Sequence, residues 1–220
     1  MVIFETIFDV LYLISVVCIG LVMIKRSKKF DQYRLFGMMA IVLGCGDAFH
    51  LVPRVYSMWT IGLENNAVAL GFGQAVTSIT MTLFYVMLYY IWEKRYEVKE
   101  TKVLRFWVWA LALLRVALCL FPQNDWLSSN APLSWGIYRN IPFAIFGILM
   151  IVLFYQQARL HQDKAFKYMW LAIVLSFGFY APVVLFSKTI PVIGALMMPK
   201  TCAYVWIVWM GYKAQKEAIK

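Results

Sequence analysis

The chain has 220 residues, 63% of them hydrophobic and only 15% charged, with a mean hydropathy of +0.71. A soluble domain of this length could not bury so much apolar surface, so lipid must solvate it. The net charge of +10 would suggest nucleic acid in a soluble protein; here most Lys and Arg flank apolar runs, where they meet lipid headgroups, and nucleic acid is excluded as a partner.

A bilayer core of roughly 30 Å needs about 20 apolar residues per helix. Seven such runs are predicted, at 4–24, 35–54, 67–92, 104–121, 134–156, 167–187 and 191–212. No polar stretch between them could form a separate module, so 1–220 reads as one all-α, seven-transmembrane-helix domain whose function lies among the helices.

The first run is preceded by Glu5 and Asp9 and followed by Lys25, Arg26, Lys28 and Lys29. That is the reverse of a signal peptide's charge order, and no A-x-A-like site follows, so it is expected to remain as the first helix. The second run ends GCGDAFHLVPR, with Asp47, His50 and Arg54 at i, i+3 and i+7, which places a carboxylate, an imidazole and a guanidinium on one helical face. The third run brings Gln74 and Ser78, the fourth Arg115, the fifth Tyr138, Arg139 and Asn140, and the sixth Tyr180. Lys200 lies deepest, about nine residues from either end of the seventh run.

Cations set the orientation, because Lys and Arg in short loops stay cytoplasmic. The loop after the first run carries Lys25, Arg26, Lys28, Lys29 and Arg34. The loop after the third carries Lys94, Arg95, Lys99, Lys102 and Arg105, and the loop after the fifth Arg159, Lys164 and Lys167. With Lys213, Lys216 and Lys220 in the tail, 16 of the 21 Lys and Arg fall on one side. The N-terminus is therefore expected outside and the C-terminus in the cytoplasm. Short loops and four cysteines (Cys18, Cys45, Cys119, Cys202) without CxxC spacing fit a bacterial inner membrane better than a disulfide-built cell-surface protein.

A shift of 132 residues lays the first two runs over the fifth and sixth without a gap. Ala40-Ile41-Val42-Leu43 falls on Ala172-Ile173-Val174-Leu175, Gly46 on Gly178 and Asp31 on Asp163. This points to a 3+1+3 arrangement of parallel repeats, a layout that resembles the SWEET sugar transporters and their vitamin-transporting relatives. The resemblance is architectural, since no SWEET signature stands on the first helix and Pro122-Gln123 falls in an outer loop.

Ionisable residues inside spans are costly and by default mark function. Asp47, His50, Arg54, Gln74, Arg115, Arg139, Asn140, Tyr180 and Lys200 all fall in the outer half or the middle of the membrane and form the candidate site. If they converge, they make an outward-facing polar pocket for a small or amphiphilic, anionic solute, or a lipid, bound or transported without a cofactor or metal. The ordinary alternatives are snorkelling for Arg54 and Arg139, a structural Asp47–His50 pair, and an ion pair of Lys200 or Arg115 with Asp47 or Glu5. Pro53, Pro142, Pro182 and Pro199 are each expected to free a carbonyl.

Two other functions compete. GDAFH resembles the helix-2 segment of the alkaline ceramidase and adiponectin-receptor group, seven-helix zinc hydrolases that need three histidines. This chain has only His50 and His161, and His161 is in a loop on the other side, so the alternative is a metal-free lipid hydrolase using Asp47 and His50. Gly46-Asp47 also resembles the GD motif of lysoplasmalogenases, but a second aspartate within a span is lacking. Pro199-Lys200-Thr201-Cys202-Ala203 resembles the retinal-bearing stretch of opsins and implies a receptor or retinal-type protein built on Lys200. No DRY-like or NPxxY motif accompanies it. The sequence does not determine the oligomeric state.

Overall fold

The computed structural model describes residues 2–29, 31–60, 62–99, 101–187 and 189–219. Lys220 of the tail, and Phe30 and Glu100 within two of the polar breaks, lie outside these. Among the described residues the chain is all-helical: α1 (Val2–Arg26), α2 (Gln32–Trp59), α3 (Ala67–Tyr96), α4 (Lys102–Leu120), α5 (Leu133–Leu160), α6 (Met169–Phe186) and α7 (Met197–Ala218). Short 3-10 turns cover Glu64–Asn66, Pro122–Asn124 and Pro191–Leu196. All seven helices are long and apolar enough to cross a membrane. At about 1.5 Å per residue, the 28 residues of α2 measure roughly 42 Å and the 18 of α6 roughly 27 Å, against a core of about 30 Å.

Most helices overrun the apolar runs. The run at 35–54 becomes Gln32–Trp59, and that at 134–156 becomes Leu133–Leu160. Gln, Arg and Lys are good helix formers, so the backbone continues for a turn into the polar flank. The seventh run differs in kind: its first residues form the 3-10 turn and α7 begins only at Met197. Pro199 consequently stands in the first turn of α7, where its missing N–H had no intrahelical partner to lose. Pro53 does interrupt α2, and the freed carbonyl of Phe49 faces Gly73 of α3, where a Cβ would have no room. Pro142 and Pro182 interrupt α5 and α6.

Each helix packs against its neighbours in the chain, and α7 closes the ring against α1 and α2 while α3 also reaches α5. The aromatic face of α3 fills the middle. Phe84, Tyr85, Leu88, Tyr89 and Trp92 are buried, with the Tyr85 ring against Phe143, Phe146 and Phe177. Trp92 Nε1 donates to the Leu153 carbonyl at 3.0 Å, tying α3 to α5.

Close approach elsewhere depends on small residues, as expected where lipid offers no hydrophobic drive between helices. A Cβ on Gly37 of α2 would lie 2.7 Å from the Gly20 carbonyl of α1, and one on Gly20 would lie 2.8 Å from the Gly37 carbonyl. Gly37→Val should therefore push α1 from α2 and lower the unfolding free energy by about 1–3 kcal/mol. Thermal unfolding in detergent checks this, and an unchanged midpoint would contradict it.

The basic end of the bundle is built around Asp163. Gln162 adopts φ +48°, and the Gln162 and Asp163 N–H groups bond the Arg159 and Ala158 carbonyls, the Schellman pattern that ends a helix. This turn aims Asp163 at α3, where it accepts both arms of Arg95 at 2.5 and 2.8 Å and the Tyr96 hydroxyl at 3.0 Å. Its Oδ1 also accepts the Ala165 and Phe166 N–H groups. Near the same end, Gln215 of α7 donates to the Met23 carbonyl at 2.9 Å and to Ser27 Oγ at 2.7 Å, joining the last helix to the first.

Candidate functional site

The polar residues within the apolar helices gather mainly in the half of the bundle nearer the N-terminus. On α1, Asp9 and Tyr12 are one turn apart and both are buried. Tyr12 donates its hydroxyl to Asp47 Oδ2 of α2 at 2.6 Å. Asp47 is also within electrostatic reach of Lys200 on α7.

Lys200 is 8% exposed. Among the described residues no carboxylate lies within ion-pair distance of its Nζ, which instead faces the rings of Tyr180 at 4.7 Å and Tyr204 at 5.5 Å. The Tyr180 hydroxyl donates to Asn140 Oδ1 of α5 at 3.3 Å, while buried Tyr85 and Ser176 place their hydroxyls 3.4 Å apart.

Arg115 enters from α4. It is 2% exposed, with its Cζ 3.3 Å from the centre of the Phe143 ring, and its Nε and Nη1 have no hydrogen-bond partner. The phenols of Tyr180 and Tyr204 lie within electrostatic reach of it. The same two side chains thus stand beside both buried cations. Asp47, Lys200, Tyr180, Asn140 and Arg115 are therefore drawn into one polar belt.

The remaining candidates make their direct contacts elsewhere, although His50 lies within electrostatic reach of Lys200 and Arg139 within reach of Tyr180. Arg54 pairs with Glu5 at 2.7 Å. His50 directs Nδ1 at the Leu70 carbonyl of α3, 3.1 Å away, so Nδ1 carries the proton and no bond joins His50 to Asp47. Gln74 is exposed. Arg139 donates to Asn124 Oδ1 at 2.9 Å and lies over the Trp126 ring, in a loop that covers the end of α4.

No family model, curated protein or solved structure matches this chain.

Tyr12, Tyr85, Ser176 and Tyr204 belong to the belt and were not singled out from sequence, because a hydroxyl inside an apolar run looks like packing. Asn124, fully buried, caps α4 by donating to the Leu118, Cys119 and Phe121 carbonyls. Its signal was present in the PQNDWLSSN break, where Asn follows an apolar run and can bond the last carbonyls.

Among the described residues no three His, Cys, Asp or Glu side chains gather as a metal site. His50 and His161 sit at opposite ends of α3, His161 against Tyr96. Two open clefts at the surface of the bundle lie away from the belt. One is bordered by Arg95, Tyr96, His161 and Asp163, the other by Trp209, Tyr212, Lys213, Lys216 and Glu217.

Proposed function

We propose that this chain is a polytopic membrane protein that binds, and carries across the bilayer, a small or amphiphilic solute with an anionic group, held between Lys200 and Arg115. The observation that supports this most is the pair of buried cations beside Tyr180 and Tyr204 with no carboxylate in ion-pair contact. A charged group at this depth is costly unless paired, and a solute anion supplies the pairing when bound. Tyr180, Tyr204 and Asn140 offer hydroxyl and amide groups to orient the headgroup, and the surrounding aromatic rings suit an apolar tail.

Lys200 and Arg115 are covered in this structure, so entry requires the packing of α5, α6 and α7 to change. Pro142 and Pro182 weaken the helix ladder in that region. The reading places the N-terminus outside and the basic end in the cytoplasm on the strength of the loop cations, and a bacterial inner membrane on the short loops and cysteines without CxxC spacing. The pairing of the first two spans with the fifth and sixth supports a 3+1+3 carrier layout. Lipids around the bundle, and a solute within it, are the partners proposed.

The test uses octanesulfonate, a permanent amphiphilic anion, with inorganic phosphate for comparison, titrated calorimetrically into the protein in lipid nanodiscs. Octanesulfonate should bind, and Lys200→Met should weaken it about 10- to 100-fold, the value of a charge-assisted hydrogen bond of about 1.5–3 kcal/mol. Binding that Lys200→Met leaves unaltered would exclude this site. Flux in proteoliposomes then separates a carrier from a receptor that binds without moving its ligand.

A further inference from the structure

Asp9 is the buried carboxyl that the anion site leaves unexplained. It is 6% exposed, and its Oδ2 has no hydrogen-bond partner. Among the described residues the guanidinium in electrostatic reach is that of Arg54, which is already paired with Glu5. The other groups facing it are acids or phenols: Glu5 one turn before and Tyr12 one turn after on α1, and Asp47 on α2. On α7, Tyr204 lies within reach of Tyr12, and Lys200 within reach of Asp47. A carboxyl so enclosed is cheap to hold as the neutral acid and costly as the anion.

We propose that Asp9 is a proton-binding site, linked through Tyr12 and Asp47 to Lys200, so that a proton and a solute anion bind the bundle together. The linkage rests on the anion site described above. An anion at Lys200 cancels the positive charge that this residue presents to Asp47, which makes the acidic pocket of α1 and α2 more negative and favours a proton on Asp9. Linkage is reciprocal, so protonation of Asp9 raises the affinity for the anion. No bond is made or broken except the O–H of Asp9, whose proton comes from water and returns to it. Together the two ions cross without net charge.

Two measurements decide the matter. In the ligand-free protein, infrared spectroscopy should show a protonated-carboxyl band at mildly acidic pH that disappears in Asp9→Asn, shifts in Asp9→Glu and persists in Asp47→Asn. Absence of the band from the wild type, or its survival in Asp9→Asn, overturns the proton site whatever becomes of the solute. For the linkage, octanesulfonate affinity should fall about 5- to 100-fold from mildly acidic to mildly alkaline buffer in the wild type, and be level in Asp9→Asn. His50 is intact in that variant, so a pH dependence equal to that of the wild type assigns the effect elsewhere and overturns the linkage. If octanesulfonate fails to bind at any pH, the Lys200 site fails, and the carboxyl band still decides Asp9 on its own.

Discussion

Asp163→Ala should destabilise the protein by about 3–5 kcal/mol, the usual cost of removing one partner of a buried ion pair. Asp163 and Arg95 expose only 8% and 16% of their side chains. The substitution leaves a buried guanidinium, the Tyr96 hydroxyl and the Ala165 and Phe166 N–H groups without their shared acceptor. The Arg95 fork is bidentate, so Arg95→Lys restores the charge but not the geometry and should recover only part of the loss.

The same carboxylate sets an acid limit. Burial works against its charge, but the Arg95 guanidinium and the Tyr96 hydroxyl outweigh this and hold it below the usual carboxylate range. A folded-state value lower than the unfolded one contributes stability that is present above the unfolded value. That stability is lost as the pH falls through the folded value, here below about 4. Circular dichroism melts across this range should show an acid loss in the wild type that is smaller in Asp163→Ala. An unchanged midpoint in the variant would remove Asp163 from the stability of the fold.

Arg115→Met should have the opposite sign. The ligand-free protein is expected to gain about 1–4 kcal/mol, as when apolar side chains replace buried charges, while octanesulfonate binding weakens. The face of Phe143 offers a desolvated cation about 2 kcal/mol, less than the cost of holding an unpaired guanidinium in the bilayer interior. The fold therefore carries Arg115 at a loss, which binding an anion would recover. Melts and titrations on the same preparation test both halves. A variant that loses stability would mean that Arg115 holds α4 to α5 through Phe143, and the anion site would then rest on Lys200 alone.

The helices were legible in the sequence because the bilayer imposes a length and a polarity that composition alone reveals. Their ends were less so, since Gln32 or Lys216 is as helical as its apolar neighbours but does not look membrane-bound. Part of the belt was legible too: a lone Lys, Arg, Asp or Asn inside an apolar run stands out. What each side chain touches was not.

Asp47, His50 and Arg54 show why. At about 100° per residue, Arg54 points within roughly 20° of Asp47 but His50 is turned about 60° away. The first two therefore meet Tyr12 and Glu5 on α1, and His50 meets the Leu70 carbonyl on α3. Shared spacing placed them on one face, and two neighbouring helices divided that face. Of the belt tyrosines only Tyr180 stood out; Tyr12, Tyr85 and Tyr204 did not, because a buried Tyr differs from a buried Phe only when a partner is seen opposite its hydroxyl.

The Gln215 hook onto Met23 and Ser27 has a bearing on how the protein is made. Along most of the ring, neighbouring helices are consecutive in the chain and can pair as they leave the ribosome. The seam between α1 and α7 joins the first helix synthesised to the last. In the finished ring α7 is the helix that joins α6 to α1 and α2, and it brings Lys200 to Asp47. The polar belt is therefore complete only when the last helix made has met the first.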